Sequence, residues 1–105
     1  VTAIQLETLD NNRFVRVAGI VLLRQRPSTA KGITFVTLED ETGTINLVLK
    51  QYIWQRYYSI GRRSNAWLVQ GKLEKKGSVI HVVAHRLEDL SATLGKYNPQ
   101  PRDFR

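Results

Sequence analysis

Cysteine and methionine are both missing from this chain of 105 residues. Without cysteine there can be no disulfide, no thiolate ligand for a metal and no thiol nucleophile, and nothing points to an oxidising compartment. The chain also lacks the run of about 20 apolar residues that crossing a bilayer requires, and its N-terminus lacks the basic-then-apolar layout of a signal peptide. These absences argue against a redox or membrane-spanning protein and favour a soluble, cytoplasmic one.

Length and composition indicate a single globular domain. A chain of 105 residues is long enough for one hydrophobic core, and 42% hydrophobic with 24% charged residues is an ordinary globular balance. The chain begins with Val1 and contains no methionine, so we expect a piece of a longer polypeptide or a processed product. As an isolated domain we expect it to be a monomer.

The charge is strongly one-sided. Lysine and arginine number 16 against 9 aspartates and glutamates, which gives a formal charge of +7 and a pI of about 10.2. Such a field attracts polyanions, so nucleic acid, an anionic membrane surface and an acidic protein are the candidate partners. Charge alone does not choose among them.

Period-two alternation of apolar residues predicts strands at 13–23, 33–39, 44–49, 66–74 and 78–85. Apolar residues four apart predict one short helix at 50–58 that ends at Gly61, and Gly19 marks a bulge or sharp bend in the first strand. Asp40 to Gly43 and Lys75 to Gly77 are predicted turns.

The same pattern sets the expected boundaries. Residues 1–12 are a lead-in with a brief helix or turn, residues 13–90 form the domain, and residues 91–105 form a proline-containing tail. Five short strands leave exposed edges unless the sheet closes on itself. We therefore predict an all-β fold, a five-stranded OB-fold Greek-key barrel with one capping α-helix between strands 3 and 4.

In such a barrel the ligand lies across strands 2 and 3, and alternation assigns their faces. If Val36 and Leu47 point inward with their alternate neighbours, the outward side chains include Phe35, Thr37, Asn46 and Val48. An outward Phe35 would stack on a nucleotide base, and Asn46 would hydrogen-bond a base edge. The alternatives are a core phenylalanine, if the register is off by one, and an ordinary solvated asparagine.

Cations occupy the two loops that flank this face. The first loop has Arg24, Arg26 and Lys31, and the second has Lys75 and Lys76. Together they predict contacts with the phosphates of a nucleic-acid strand, with a log-log salt slope of roughly −3 to −4 if all five take part. Each of them taken singly is an ordinary surface charge.

Other conspicuous residues predict structure rather than chemistry. His81 and His85 have no cysteine or paired carboxylate with them, and the carboxylates at 39–41 form a turn, so we expect no metal, no cofactor and no catalysis in this chain. Arg62 and Arg63 suit the end of a helix. Barrel and cap packing is expected of the remaining aromatic residues Tyr52, Trp54, Tyr57 and Trp67.

A resemblance to a known protein family rests on Phe35 and on several short segments. These are VRVAGIV at 15–21, RQRP at 24–27, TAKG at 29–32, LEDETG at 38–43, VIHVVA at 79–84, LEDL at 87–90 and RDFR at 102–105. The glycine-bearing strand and the turn occur in many OB domains, whereas their combination with the loop and the tail is more specific. Over roughly residues 13–105 the chain resembles the C-terminal OB domain of bacterial C-family DNA polymerases, and the error-prone members above all.

The resemblance implies a parent enzyme that extends DNA primers past damaged template, working with a mutagenesis accessory protein and the sliding clamp. Its catalytic aspartates would lie upstream, and this domain would hold the single-stranded template, with Phe35, Arg24 and Arg26 at nucleic-acid contact positions. The chain shows no clear clamp-binding peptide. Two alternatives share the fold: an anticodon-binding domain of an aminoacyl-tRNA synthetase and a protein-interaction module of a polymerase complex.

Overall fold

The computed structural model describes residues 1–91, apart from the side chain of Ala30, so nearly all of the predicted tail lies outside the described residues. The elements in chain order are α1 (Ala3–Leu6), β1 (Phe14–Gln25), a 3₁₀ turn (Ser28–Ala30), β2 (Thr34–Asp40), β3 (Gly43–Leu49), α2 (Gln51–Arg56), α3 (Tyr58–Arg63), β4 (Ala66–Lys76) and β5 (Val79–Asp89). Within residues 1–91 no helix has both the length and the apolar content to cross a membrane.

The five strands close into a barrel in the order β1-β2-β3-β5-β4. Strand β1 takes part in two antiparallel ladders, with β4 along its first half and with β2 along its second half. The barrel closes through a short parallel pairing between β3 and β5, at Leu47 with Val82 and Val48 with Val83. This arrangement confirms the predicted five-stranded OB-fold barrel with helical structure between the third and fourth strands.

The barrel interior is filled by the alternate apolar residues of all five strands. Ile53 and Trp54 of α2 cover one end, and the Trp67 ring is fully buried, with its Nε1 donating to the carbonyl of Ser64 at 3.1 Å. Tyr52 differs from our expectation, because it lies on the outer side of α2 and is largely exposed. The core is thus built from alternate strand residues, as the sequence predicts. Of the aromatic residues in the helical cap, only some pack against it.

Gly19 lies where β1 passes from one ladder to the other, and it allows a close approach of two strands. A Cβ atom at this position would lie 2.6 Å from the carbonyl oxygen of Glu39 on β2. The bulge itself falls later, at Leu22, where the pairing with β2 shifts between Val21 and Leu23. Gly19 therefore allows the strands to approach each other where the two ladders meet. The β-bulge that we expected at this glycine lies at Leu22 instead.

The helical segment differs from the single helix predicted at 50–58. Tyr57 has non-helical backbone angles (φ −108°, ψ 27°) and separates α2 from α3. Gly61 does not end a helix but lies inside α3, because the Trp54 ring packs against it and a Cβ there would lie 2.7 Å from that ring. The predicted stop at Gly61 is therefore wrong, since this glycine makes room for a neighbour.

The N-terminal lead-in is packed onto the barrel. Ala3 and Leu6 belong to the core, and the amide of Ala3 donates to Asp40 Oδ2 at 2.7 Å. The other carboxylate oxygen of Asp40 accepts from the amide and hydroxyl of Thr42 and from the amide of Gly43. Burial tends to raise the pKa of Asp40, but these hydrogen bonds outweigh it and hold the pKa below its usual value.

Replacement of Gly19 by alanine tests the strand junction. Because the new methyl group would meet a backbone oxygen that cannot move without opening the ladder, we expect Gly19→Ala to lower the free energy of unfolding by about 2 kcal/mol. Urea unfolding followed by tryptophan fluorescence measures this. Ser78→Ala, in an exposed turn, is the control and should change stability by less than about 0.5 kcal/mol. Equal stability of the two variants would contradict the close approach.

Replacement of Asp40 tests the docking of α1. The pKa of Asp40 is lower in the folded chain than the ordinary 3.8, so this carboxylate stabilises the fold above that value, and its contribution is lost as the pH falls through the folded pKa. Asp40→Asn should cost about 1 kcal/mol at pH 7 and should flatten the loss of stability in acid. Unfolding curves at a series of pH values check both effects, and parallel pH profiles for the two proteins would contradict them.

Candidate functional site

The outer surface of β2 and β3 presents a small patch of apolar and amide side chains. It consists of Phe35, Thr37, Asn46 and Val48, which we call the β2–β3 face. Phe35 is the cross-strand partner of Val48, and Thr37 is the partner of Asn46, so the four side chains are neighbours. The alternation predicted for both strands is confirmed, because Phe35 is 38% exposed while Val36 and Leu47 are buried.

Strands on both sides extend this patch beyond the residues that the sequence indicated. On β1, Leu23 is the partner of Thr37, and Gln25 is the partner of Phe35. On β5, Val79 and His81 border the other edge, and together these strands line a groove of about 300 Å³. Leu23 and Gln25 were missed because simple alternation along β1 does not show the bulge at Leu22.

The bulge also explains the position of Arg24. One extra residue at Leu22 reverses the alternation, so that Leu23 points outward and Arg24 points toward the helical end of the barrel. Its Nε donates to the carbonyl of Gly61 at 2.8 Å, its Nη2 donates to the carbonyl of Ser64 at 2.7 Å, and its guanidinium lies 5.8 Å from the centre of the Trp67 ring. Arg24 is thus placed to satisfy carbonyls at the C-terminal end of α3, not to meet a ligand on the β2–β3 face.

Apart from Arg24, the cations that we predicted in the two loops are divided between two ends of the barrel. Arg26 and Lys31 are exposed in the loop that leads from β1 to β2, at the end of the face where Phe35 lies. Lys75 and Lys76 belong to β4 rather than to a turn. Lys75 Nζ donates to the carbonyl of Glu7 at 2.9 Å, beside α1, whereas Lys76 is exposed opposite Val79.

The two ends of the β2–β3 face differ in charge. The end beside Arg26 and Lys31 has a further exposed cation, Lys50, directly after β3. The hairpin end carries three consecutive acidic residues, at 39–41, and the Asp40 carboxylate there is taken up by the turn and by α1. The end with the basic loop therefore favours a polyanion more than the hairpin end does.

His81 and His85 have different neighbours and do not form one site. His81 Nε2 lies 3.3 Å from Glu74 Oε1. His85 lies further along β5, where its ring centre is 5.8 Å from that of Phe14. In residues 1–91 we find no group of three or more histidine or carboxylate side chains placed to hold a metal ion.

Barrel topology and the surface chemistry together define a class of protein. A closed β1-β2-β3-β5-β4 barrel with an exposed aromatic ring and an amide on β2 and β3, beside a basic loop, is an oligonucleotide-binding barrel. Residues 15–90 match the family model described as an OB-fold nucleic acid binding domain. The chain belongs to this OB-fold family.

Two curated relatives illustrate the similarity to error-prone polymerases. The error-prone DNA polymerase of Rhodopirellula baltica is 56% identical over 103 residues, which is 98% of this chain and 9% of that protein. The error-prone DNA polymerase of Alkalilimnicola ehrlichii is 47% identical over 107 residues, which is 98% of this chain and 10% of that protein. The chain thus spans about a tenth of the length of these relatives, and the resemblance noted in the sequence is confirmed.

Among solved structures, asparaginyl-tRNA synthetase from Pyrococcus horikoshii superposes with a TM-score of 0.68. The sequences are 18% identical, and the match covers 84% of this chain and 22% of the synthetase chain. At this identity the likeness supports the fold alone.

Replacement of Arg24 tests the structural role that its contacts indicate. Because two hydrogen bonds from a charged group to helix-terminal carbonyls would be lost, Arg24→Gln should lower the free energy of unfolding by about 2 kcal/mol. Arg26→Gln removes an exposed charge from the loop that follows β1 and should cost less than about 0.5 kcal/mol. Thermal and urea unfolding of both variants provide the comparison. A stable Arg24→Gln chain that binds oligonucleotides less tightly would instead make this arginine a phosphate ligand.

Proposed function

We propose that this chain is the single-stranded nucleic-acid-binding domain of an error-prone DNA polymerase and holds template DNA during synthesis across damaged bases. The observation that carries the proposal is the outward Phe35 ring, set beside Asn46 and next to a basic loop. The similarity to error-prone DNA polymerases over 98% of the chain supports DNA as the ligand. On this proposal the chain contributes binding, and the polymerase chemistry belongs to other parts of the parent enzyme.

Stacking is the main interaction that the face offers. A base laid on Phe35 would also contact the apolar side chains of Val48 and Leu23, because cross-strand pairing places them around the ring and around Thr37. Base stacking of this kind contributes about 1 to 3 kcal/mol per base and does not depend on sequence. Asn46 and Gln25 can each donate and accept hydrogen bonds toward a base edge. A template-holding domain needs this combination, since the template sequence varies.

Phosphate contacts are proposed for three exposed cations. Arg26 and Lys31 lie in the loop beside Phe35, and Lys76 lies opposite Val79 at the other edge of the groove. Three neutralised phosphates on a single strand predict a log-log salt slope of about −2. This value is smaller than the slope for five cations, because Arg24 and Lys75 have partners within the fold.

The likeness to the synthetase leaves anticodon binding as a second candidate, but its support is weaker. That likeness is one of fold at 18% identity, whereas the polymerase relatives match at 47% and 56%. Contacts with a mutagenesis accessory protein and with the sliding clamp are proposed only for the parent enzyme. We expect the parent to act in the cytoplasm, in the DNA damage response.

A fluorescence anisotropy titration tests the proposed ligand. We expect labelled oligodeoxythymidine to bind more tightly than a duplex of equal length or a tRNA anticodon stem-loop. The oligodeoxythymidine is short enough to occupy one face of the barrel, and the measurement is repeated at several salt concentrations, where the log-log slope should be near −2. Tightest binding by the stem-loop would favour the anticodon alternative. Absence of binding to any nucleic acid at low salt, with binding to the accessory protein, would favour an interaction module.

Replacement of Phe35 tests stacking on the β2–β3 face. Phe35→Leu keeps an apolar side chain but removes the ring, so we expect affinity for oligodeoxythymidine to fall at least about five-fold, the equivalent of 1 kcal/mol. Phe35→Tyr keeps a ring and is the matched control, with affinity within about two-fold of the original chain. Equal affinity of the leucine and tyrosine variants would contradict stacking by Phe35. Thermal unfolding of both variants verifies that the fold is intact.

A further inference from the structure

A second exposed aromatic ring lies on the far side of the barrel. Phe14, at the start of β1, is 72% exposed, which is the largest exposure among the exposed large apolar side chains of residues 1–91. Its cross-strand partner is Lys72 on β4. In the strand order β1-β2-β3-β5-β4, strand β4 is the one farthest from the boundary between β2 and β3. Phe14 is thus separate from the β2–β3 face.

Cations surround this ring in two adjacent cross-strand rows. The first row joins Phe14, Lys72 and Val83, and the second joins Arg16, Gln70 and Arg86. With His85, the polar and aromatic members of these rows form what we call the β4 face: Phe14, Arg16, Gln70, Lys72, His85 and Arg86. All of these residues except Lys72 line a groove of about 520 Å³. On β4 and β5 the acidic residues lie in the rows beyond: Glu74 is beside His81, Glu88 is opposite Leu68, and Asp89 is opposite Trp67.

A β-bulge in β5 brings two polar side chains to the outside in succession. The pairing with β4 shifts between Gln70 and Gly71, so that His85 is an extra residue opposite them. His85 and Arg86 are consequently both exposed, between buried Ala84 and Leu87. The His85 ring packs 5.8 Å from the Phe14 ring, centre to centre, with a tilt of 53°.

Gly71 is the residue that permits this bulge. A Cβ atom at Gly71 would lie 2.3 Å from the carbonyl oxygen of Val83, so no larger residue fits between the strands. The position on β4 that admits only glycine thus lies where β5 turns His85 outward beside Phe14. The barrel core gains nothing from these two exposed rings, which argues for a role at the surface.

The chemistry of this surface favours nucleic acid over protein as the occupant. The core of a protein–protein interface is apolar and depleted in charge, whereas the cross-strand neighbours of Phe14 and of Gln70 include three cations. Exposed rings among cationic side chains are the arrangement that holds a single strand by stacking and charge. We propose that the β4 face is a second binding surface for single-stranded nucleic acid, with Phe14 and His85 stacking on bases and Arg16, Lys72 and Arg86 contacting phosphates.

Photo-crosslinking of the 105-residue chain to an oligodeoxythymidine that carries 5-iodouracil tests the position of the strand. We expect adducts on a peptide that contains Phe14 or His85, and we expect them to persist in Phe35→Leu. The experiment therefore separates the two surfaces, because failure of the β2–β3 face alone would remove only adducts near Phe35. If no adduct forms at Phe14 or His85 in either protein, the proposal is overturned.

Affinity measurements with an oligonucleotide of about 30 nucleotides, longer than a single OB fold contacts, test the two kinds of contact. Phe14→Leu should weaken binding at least about five-fold, and Phe14→Tyr should not. The double variant Arg16→Gln/Arg86→Gln should reduce the magnitude of the salt slope by about 1.4, since each phosphate contact contributes about 0.7.

A charge-matched variant distinguishes this surface from a general effect of net charge. Arg62→Gln/Arg63→Gln removes two exposed cations from the last turn of α3, which lies outside both faces. We expect it to change the salt slope much less than Arg16→Gln/Arg86→Gln does. Equal effects of the two double variants, or unchanged affinity in Phe14→Leu, would show that the β4 face does not bind nucleic acid.

Discussion

Closure of the barrel at β1 is the constraint on which the other features depend. One strand has to pair with β4 over its first half and with β2 over its second, and the two ladders overlap at Ile20. Gly19 makes this possible because the backbone of Glu39 lies where a side chain would be. Once β1 is shared in this way, the sheet has no long free edge, and five short strands suffice to enclose a core.

Because the barrel is closed, the alternate side chains of each strand point either into its interior or to its outer surface. The inward apolar residues of β2 and β3 belong to the core, so the outward side chains of the β2–β3 face are available to a ligand. The cross-strand pair of Phe35 and Val48 is held by strands on both sides. Rigid strands position a stacking ring more precisely than a loop does, whereas phosphate contacts tolerate mobile side chains. The distribution of residues fits this division, with the ring on β2 and the cations Arg26 and Lys31 in the adjoining loop.

The sequence sufficed for the fold and for the outward position of Phe35, because alternation along β2 and β3 is unbroken. It sufficed for the outward side of His85 as well, but not for Arg24 or Arg86, because each lies beyond a bulge that reverses the alternation and that the sequence did not locate. Gly61 was misread for a related reason: a glycine that makes room for a ring, here Trp54, looks the same in sequence as one that ends a helix. Local sequence patterns therefore predict the regular pairing of strands. The bulges and the position of Gly61 depend on tertiary contacts that these patterns do not contain.

The bulges determine the surface chemistry as well as the geometry. At Leu22 the reversal sends an arginine into the fold, where Gly61 and Ser64 accept its hydrogen bonds, and brings Leu23 out beside Thr37. The result is a face with apolar side chains around an aromatic ring and with its cations at the margin. Because Arg24 is hydrogen-bonded to the helical cap, the surface beside the Phe35 ring is left to uncharged side chains, where stacking is proposed. The extra residue at Leu22 thereby has two effects: it places Arg24 where it stabilises the helical cap, and it places Leu23 at the edge of the β2–β3 face.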